Sequence, residues 1–155
     1  KEYTELAELL YPNCLDTAFY FDKYKPRNIK GEVTRIAPSP TGYLHLGTLF
    51  AALVNRITAT TTGGVFFTRI EDTDKKREID DGVSAIINGF ASFGIDFDEG
   101  VTGFNTEKGA YGPYTQSKRA DIYQCFAKEL VRQGKAYPCF CTEEELATMR
   151  EQQEK

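Results

Sequence analysis

Arg35-Ile36-Ala37-Pro38-Ser39-Pro40-Thr41-Gly42-Tyr43-Leu44-His45-Leu46-Gly47-Thr48 runs from the end of a strand, through a proline-stiffened turn, into a long helix. Val33, Ile36 and Ala37 make a short apolar run that Pro38 stops, since proline continues neither a central strand nor a helix. Pro38 and Pro40 hold two φ angles and Thr41-Gly42 supplies the turn. Beyond it Leu46, Leu49, Phe50, Leu53, Val54 and Ile57 recur at intervals of three and four. That spacing predicts a helix over 46–61 whose apolar face packs against a sheet. The first turn of such a helix offers free backbone N–H groups and about half a positive charge, which suits an anion and most often a phosphate. His45, the single histidine of the chain, stands at that start.

Working outward, residues 32–37 read as a strand, and Gly63-Gly64 end the helix before a second strand over 65–70. The whole strand-helix-strand unit fits a parallel crossover. Val65, Phe66, Phe67 and Ile70 are too continuously apolar for a half-exposed strand, so a sheet covered on both faces is expected. After Glu71-Asp72-Thr73-Asp74 and a basic turn at Lys75-Lys76-Arg77, Ile79, Val83, Ile86, Ile87, Phe90 and Phe93 predict one face of a second helix ending at Gly94. A long loop containing Gly100, Gly103, Gly109 and Gly112-Pro113 reads as functional or partner-contacting. Ser117 then caps a third helix with Ile122, Tyr123, Phe126 and Leu130 inward and Gly134 as its stop. Residues 137–141 read as a strand, and Thr142 opens a last helix with capping-box spacing to Glu145. Before the unit, residues 2–10 form a short helical pattern and residues 15–25 an aromatic-rich segment, together an arm lying on the domain surface.

The chain has 155 residues, 41% hydrophobic and 27% charged, with a net charge of −4. That length suits one full domain and the start of another. No apolar run approaches the ~20 residues that span a bilayer, and the first residues show no signal-like core. A soluble chain in the cytoplasm, away from membranes, is expected. The acidic balance argues against a general nucleic-acid coat but leaves room for a local basic contact with RNA.

In open α/β sheets ligands bind at the carboxyl ends of the parallel strands. One such end presents Arg35, Ala37, Ser39 and the turn from His45 to Thr48; the next presents Arg69, Glu71 and Asp72. A guanidinium and a carboxylate at adjacent strand ends can hold the two charged groups of a free amino acid, with nucleotide phosphates at the helix start. They can equally form a plain ion pair between neighbouring strands. Asp72 and Asp74 read as capping or turn residues, and Lys75 to Arg77 as a solvated turn or a contact with RNA phosphates.

Four signatures in order resemble those of the class I glutamyl-tRNA synthetases: Arg35 to Gly42, His45-Leu46-Gly47-Thr48, Arg69-Ile70-Glu71-Asp72-Thr73-Asp74, and Gly112-Pro113-Tyr114-Thr115-Gln116-Ser117. The resemblance covers residues 33 to about 146. Pro38-Ser39-Pro40-Thr41-Gly42 stands where the glutaminyl branch usually has Pro-Glu-Pro-Asn-Gly, so the glutamyl type is favoured. The resemblance implies a Rossmann-like doubly wound parallel sheet and ATP-dependent ligation of L-glutamate to tRNA(Glu) through glutamyl-adenylate, with Mg2+ present. It implies that Arg35 binds a carboxylate of glutamate, that Ala37 and Ser39 line the pocket and that Glu71 holds the α-ammonium. His45, Gly47 and Thr48 would face ATP and carry the catalytic contacts. A monomer is expected. The alternatives are a paralogue of the glutamyl-Q tRNA(Asp) synthetase kind and a non-catalytic module that binds glutamate or RNA.

Two features depart from the fullest family pattern: Thr48 stands where class I often has histidine, and the mobile lysine-rich loop is absent, as is an anticodon-binding domain. The expected organisation is therefore an arm at 1–30, the N-terminal half of a nucleotide-binding domain at 31–134, and the start of an acceptor-stem-binding insertion at 135–155. The piece alone is expected to be inactive. Cys139-Phe140-Cys141 reads either as two buried thiols or as half of a Zn2+ site, because zinc in a closed site takes four ligands.

Overall fold

The computed structural model describes residues 2–154 and divides them into two compact units. The larger, residues 15–123, holds the sheet: β1 (Val33–Ile36), β2 (Val65–Thr68), β3 (Glu99–Gly103) and β4 (Thr106–Lys108), in that spatial order. β1, β2 and β3 run parallel, with Arg35 opposite Phe67 and Phe67 opposite Glu99; β4 returns antiparallel to β3. Helices α3 (Leu46–Thr62) and α4 (Gly82–Ser92) fill the two parallel crossovers; they are numbered after α1 (Glu2–Leu10) and α2 (Thr17–Lys23). Gly63, left-handed at φ 69°, stops α3 by donating its N–H to the Ala59 and Thr60 carbonyls, the usual glycine ending of a helix.

Side-chain alternation assigns the two faces of the sheet. Thr34 donates its hydroxyl to the Asn55 carbonyl of α3 at 2.9 Å. Phe66, in register with Thr34, has its ring centroid 5.0 Å from Phe97, which in turn lies 5.3 Å from Phe90 of α4. Both crossover helices therefore cover the same face. On the other face Phe67 packs 6.1 Å from the Tyr114 ring. Phe66, Ile70, Ile86, Phe90, Phe97, Val101 and Tyr114 are buried together with Ala52 and Ala59, and each large side chain contributes roughly 1.5–3 kcal/mol by leaving water.

The apolar stripe of α3 does not meet the sheet as its spacing predicts. Leu46, Phe50, Leu53, Val54 and Ile57 are exposed, Leu46 by 82%, while Ala52 and Ala59 are fully buried and Leu49 partly so. The small alanines let the helix axis approach closely enough for the Thr34 to Asn55 bond, which turns the bulkier residues to the flank. The outer edge of β1 has no partner strand among the described residues.

The stretch expected to be one long loop contains β3 and β4. Gly100 explains why strand patterning misses it: its φ is +115°, and a Cβ there would sit 2.1 Å from the Thr68 carbonyl oxygen, so the close approach of β3 to β2 requires glycine. α4 begins only at Gly82, leaving Ile79 before it and Phe93 exposed at its end. A 3-10 turn at Gln116–Arg119 precedes α5 (Ala120–Arg132). Ser117 does not cap that helix; it bonds to Asp72. The inward residues of α5 are Cys125, Lys128 and Val131, with Tyr123 and Leu130 exposed.

The second unit comprises residues up to Cys14 with those from Gln124 onward. Here Lys128, only 7% exposed, donates to Glu8 of α1 at 2.6 Å, and Ala7 and Val131 are buried. Residues 137–141 form no strand. α6 (Glu143–Gln153) starts with the expected capping box: Glu145 donates its N–H to Thr142 Oγ1 at 3.2 Å, and its carboxylate accepts the Thr142 N–H at 2.7 Å. No helix among the described residues is long and apolar enough to cross a membrane.

Candidate active site

The ends of β1 and β2 continue past their regular ladder. Arg69 donates its N–H to the Ile36 carbonyl and Glu71 its N–H to the Pro38 carbonyl, both at 3.0 Å. This pairing lays Ala37, Pro38 and Ser39 alongside Ile70 and Glu71. It brings Arg35 within 3.5 Å of Glu71, while Arg69 reaches the same carboxylate oxygen at 3.0 Å. The side chains of Arg35 and Glu71 keep 41% and 32% of their surface in solvent. One carboxylate thus sits between two guanidinium groups at the open end of the sheet. The ion pair anticipated between neighbouring strands exists, and one positive charge is left over that a ligand carboxylate can meet. Sequence reading placed Arg69 at this end but gave it no part in the site; its Nε is buried with no partner among the described residues.

The turn from Pro38 to Leu44 is fixed from below by α4 and the residues leading into it. Ile79 donates its N–H to the Pro40 carbonyl at 3.0 Å, Pro40 is fully buried, and Leu44 packs over Gly89, where a Cβ would stand 2.8 Å from Leu44 Cδ1. These contacts anchor the turn that leads into α3. His45 is its N-cap, in extended conformation at φ −87° and ψ 154°, and its side chain makes no capping bond; no acidic residue occupies the first turn. Its carbonyl accepts the N–H groups of Thr48 and Leu49 at 3.0 and 3.1 Å, whereas the first N–H groups of a helix have no intrahelical acceptor. Gly47 has no packing reason to be glycine, since a Cβ there would meet nothing within 4 Å. Glycine inside a helix costs up to about 1 kcal/mol against alanine, which a ligand approaching the backbone would explain.

A second layer holds β2's end from the other side. Ile70 donates its N–H to the Tyr114 carbonyl at 2.9 Å, and its own carbonyl accepts the Gln116 N–H at 2.8 Å, a parallel bridge between Ile70 and Thr115. Asp72 accepts the Ser117 N–H at 2.9 Å and the Ser117 hydroxyl. Burial would raise the Asp72 carboxyl, but these bonds, with Lys75, hold it below the usual carboxylate range. Tyr114 gives its hydroxyl to Glu99 at 2.6 Å; burial first, then that carboxylate, push its phenol up to about 12. Glu99 is held down mainly by Arg27. Arg27 and Glu99 carry no sequence signal of this pairing, being separated by 72 positions.

Cys139 and Cys141 are exposed thiols, which removes the buried-thiol reading. They lie in irregular backbone, not a strand, and the neighbouring Cys141 holds the Cys139 thiol pKa below its ordinary value. Two donors do not close a zinc site, and no group of three or more His, Cys, Asp or Glu suited to a metal occurs among the described residues.

With this geometry in view, comparison with known proteins is specific. Residues 32–155 match the family described as tRNA synthetases class I (E and Q), catalytic domain. A glutamate--tRNA ligase of Clostridium perfringens (strain 13 / Type A) is 53% identical over 154 residues, covering 97% of this chain and 28% of the relative. One from Bacillus subtilis (strain 168) is 50% identical over 119 residues, covering 77% of this chain and 24% of its own. Among solved structures, a glutamate tRNA ligase from Elizabethkingia meningosepticum, in complex with its amino acid, is similar with a TM-score of 0.69 at 38% identity, over 79% of this chain and 24% of that one. The chain spans 24–28% of the length of these relatives. The expected Rossmann-like α/β fold agrees with this likeness.

Proposed function

Because this chain belongs to the catalytic-domain family of class I tRNA synthetases of the E and Q type, we propose that the polypeptide containing it activates L-glutamate with ATP and ligates it to tRNA(Glu). The observation that carries the reading is the Glu71 carboxylate bracketed by Arg35 and Arg69 beside a bare helix start. Two guanidinium groups and one carboxylate leave a single positive charge, and free glutamate carries a single negative one. Glutamate therefore neutralises the site, whereas glutamine would not. In this reading Arg35 takes a glutamate carboxylate, Glu71 receives the α-ammonium, and Ala37 and Ser39 form the wall beside them. His45, Gly47 and Thr48 face ATP, with the open N–H groups of the first helical turn directed at phosphate.

The glutamate α-carboxylate attacks the α-phosphorus, and a new oxygen–phosphorus bond forms as pyrophosphate leaves; a terminal ribose hydroxyl of the tRNA then attacks the acyl carbon, forming the ester and losing its proton as the acyl–phosphate bond breaks and AMP leaves. No protein nucleophile is needed; the residues orient the two substrates and stabilise charge on the phosphate. Mg2+ would arrive on the ATP phosphates, as it commonly does in nucleotide sites. Cys139 and Cys141 would supply two of four Zn2+ ligands in the longer polypeptide, in an acceptor-stem-binding insertion starting near residue 135. Residues 31–134 would be the first half of the nucleotide-binding domain, with 1–30 as an arm. The enzyme would act in the cytoplasm as a monomer.

The deciding experiment is calorimetric titration of the full-length polypeptide with a non-hydrolysable glutamyl-adenylate analogue and its glutaminyl counterpart, in wild type and Arg35→Ala. Preferential binding of the glutamyl form, lost in Arg35→Ala, supports the assignment. Equal binding of the two forms, or binding indifferent to Arg35→Ala, overturns it.

A further inference from the structure

The family match begins at residue 32, yet the residues just before it grip the layer behind the strand-end site. The Tyr24 hydroxyl donates to the Gly112 carbonyl at 2.6 Å, and the Tyr111 hydroxyl donates back to the Lys25 carbonyl at 2.9 Å. The rings of Tyr24 and Tyr111 stack at 6.4 Å. Arg27 meets both carboxylate oxygens of Glu99, at 2.5 and 2.6 Å, while lying 3.8 Å over the Tyr111 ring. Both members of that pair keep only 16% of their side-chain surface in solvent. A two-pronged contact of this kind, stacked on an aromatic ring, is one that only arginine makes.

These contacts lead by short steps to the proposed glutamate pocket. Glu99 Oε2 accepts the Tyr114 hydroxyl at 2.6 Å, and the same hydroxyl oxygen accepts the Tyr111 N–H at 3.0 Å. The Tyr114 carbonyl and the Gln116 N–H are the partners of Ile70. Ile70 points into the core, fully buried, so its neighbours Arg69 and Glu71 project to the opposite side. Any tilt of the Ile70 peptides therefore swings both charged side chains. Removing Arg27 would leave a poorly solvated carboxylate facing Tyr114 with a lost charge partner, a situation relieved by movement of residues 111–116.

From this chain of contacts the geometry points to residues 24–27 as a strap that sets the end of β2, with Arg27 and Tyr24 as positioning residues for glutamate binding through Glu99 and Tyr114. The inference rests on the glutamate reading of Arg35 and Glu71. Its test uses the full-length polypeptide in four variants, Arg27→Ala, Arg27→Lys, Tyr24→Phe and Arg35→Ala, with two readouts: hydrogen exchange at residues 69–72 and 112–117, and KM for glutamate and for ATP in aminoacylation.

Arg27→Ala is expected to speed exchange of the Ile70 and Gln116 amides about tenfold or more as the segment opens locally. It should raise KM for glutamate roughly five- to tenfold, leaving KM for ATP and kcat within about twofold. Arg27→Lys should fall between, because an ammonium restores charge without the fork, and Tyr24→Phe should act in the same direction more weakly. Arg35→Ala should raise KM for glutamate without altering exchange at Ile70. Unchanged exchange in Arg27→Ala and Tyr24→Phe overturns the strap, as does a parallel rise in KM for both substrates, which marks general loss of structure. Should Arg35→Ala leave KM for glutamate unchanged, the pocket reading fails by itself and the exchange data alone decide the strap.

Discussion

Replacing Glu71 by glutamine separates a structural ion pair from a ligand-binding carboxylate. The contacts to Arg69 and Arg35, at 3.0 and 3.5 Å, lie between side chains that retain 22%, 41% and 32% of their surface in water. Ion pairs so exposed contribute at most about 1 kcal/mol each after screening. The Glu71 N–H bond to Pro38 is a backbone contact and survives the change. Loss of stability should therefore stay under about 2 kcal/mol. A charge-assisted hydrogen bond to the substrate ammonium is worth about 1.5–3 kcal/mol, and since 1.4 kcal/mol is a factor of ten in affinity, Glu71→Gln should weaken glutamate binding roughly 10- to 150-fold. The assay is calorimetric titration of glutamate into the full-length polypeptide beside urea unfolding of the same variants. Glutamate affinity within about twofold of wild type, or a stability loss near the 3–5 kcal/mol typical of breaking a buried pair, would refute the reasoning.

Three further outcomes follow from the same geometry. Gly47→Ala should leave stability unchanged or raise it by up to about 1 kcal/mol, because the new Cβ meets no protein atom within 4 Å; ATP affinity measured alongside should fall at least about tenfold, and full affinity would remove Gly47 from the nucleotide site. The folded-state pKa of Asp72 lies below its ordinary 3.8, so its contribution to stability is complete above about pH 4 and is lost as pH falls through that lower value. Asp72→Ala should cost about 1–3 kcal/mol at neutral pH and flatten the acid limb of the stability curve, which urea unfolding across pH would reveal. In the 155-residue chain, Phe90→Ala should cost about 3–5 kcal/mol, while Phe50→Ala, on the exposed flank of α3, should change unfolding by no more than about 0.5 kcal/mol; similar losses at both would reverse the orientation assigned to that helix.

Much of the candidate site was legible in the sequence because its residues are adjacent along the chain. Arg35, Ala37, Ser39, His45, Gly47 and Thr48 lie within one strand-turn-helix segment, and proline and glycine mark its bends. Glu71 follows from the next parallel strand, since a crossover of this length returns the chain beside its start. The structure adds Arg69, whose guanidinium shares the Glu71 carboxylate, and the rear layer of Tyr114, Glu99 and Arg27. Nothing in the spacing of residues 27 and 99 announces their contact. The four quoted signatures included Tyr114 without showing that its carbonyl holds Ile70.

What the amino-acid sequence by itself determined is local: the proline-stiffened turn, the lengths of α3 and α1, the glycine stop at Gly63 and the Thr142–Glu145 capping box. Each depends on residues within a few positions, where backbone sterics and periodicity act directly. Tertiary structure decided which stripe of α3 meets the sheet, because the choice depends on how closely two backbones approach and buried alanines win that choice over larger side chains. It also decided that Gly100 belongs to a strand, that residues 137–141 do not, and that Arg27 reaches Glu99. In each case the deciding energy lies between segments far apart in sequence, and only the folded chain brings them within contact distance.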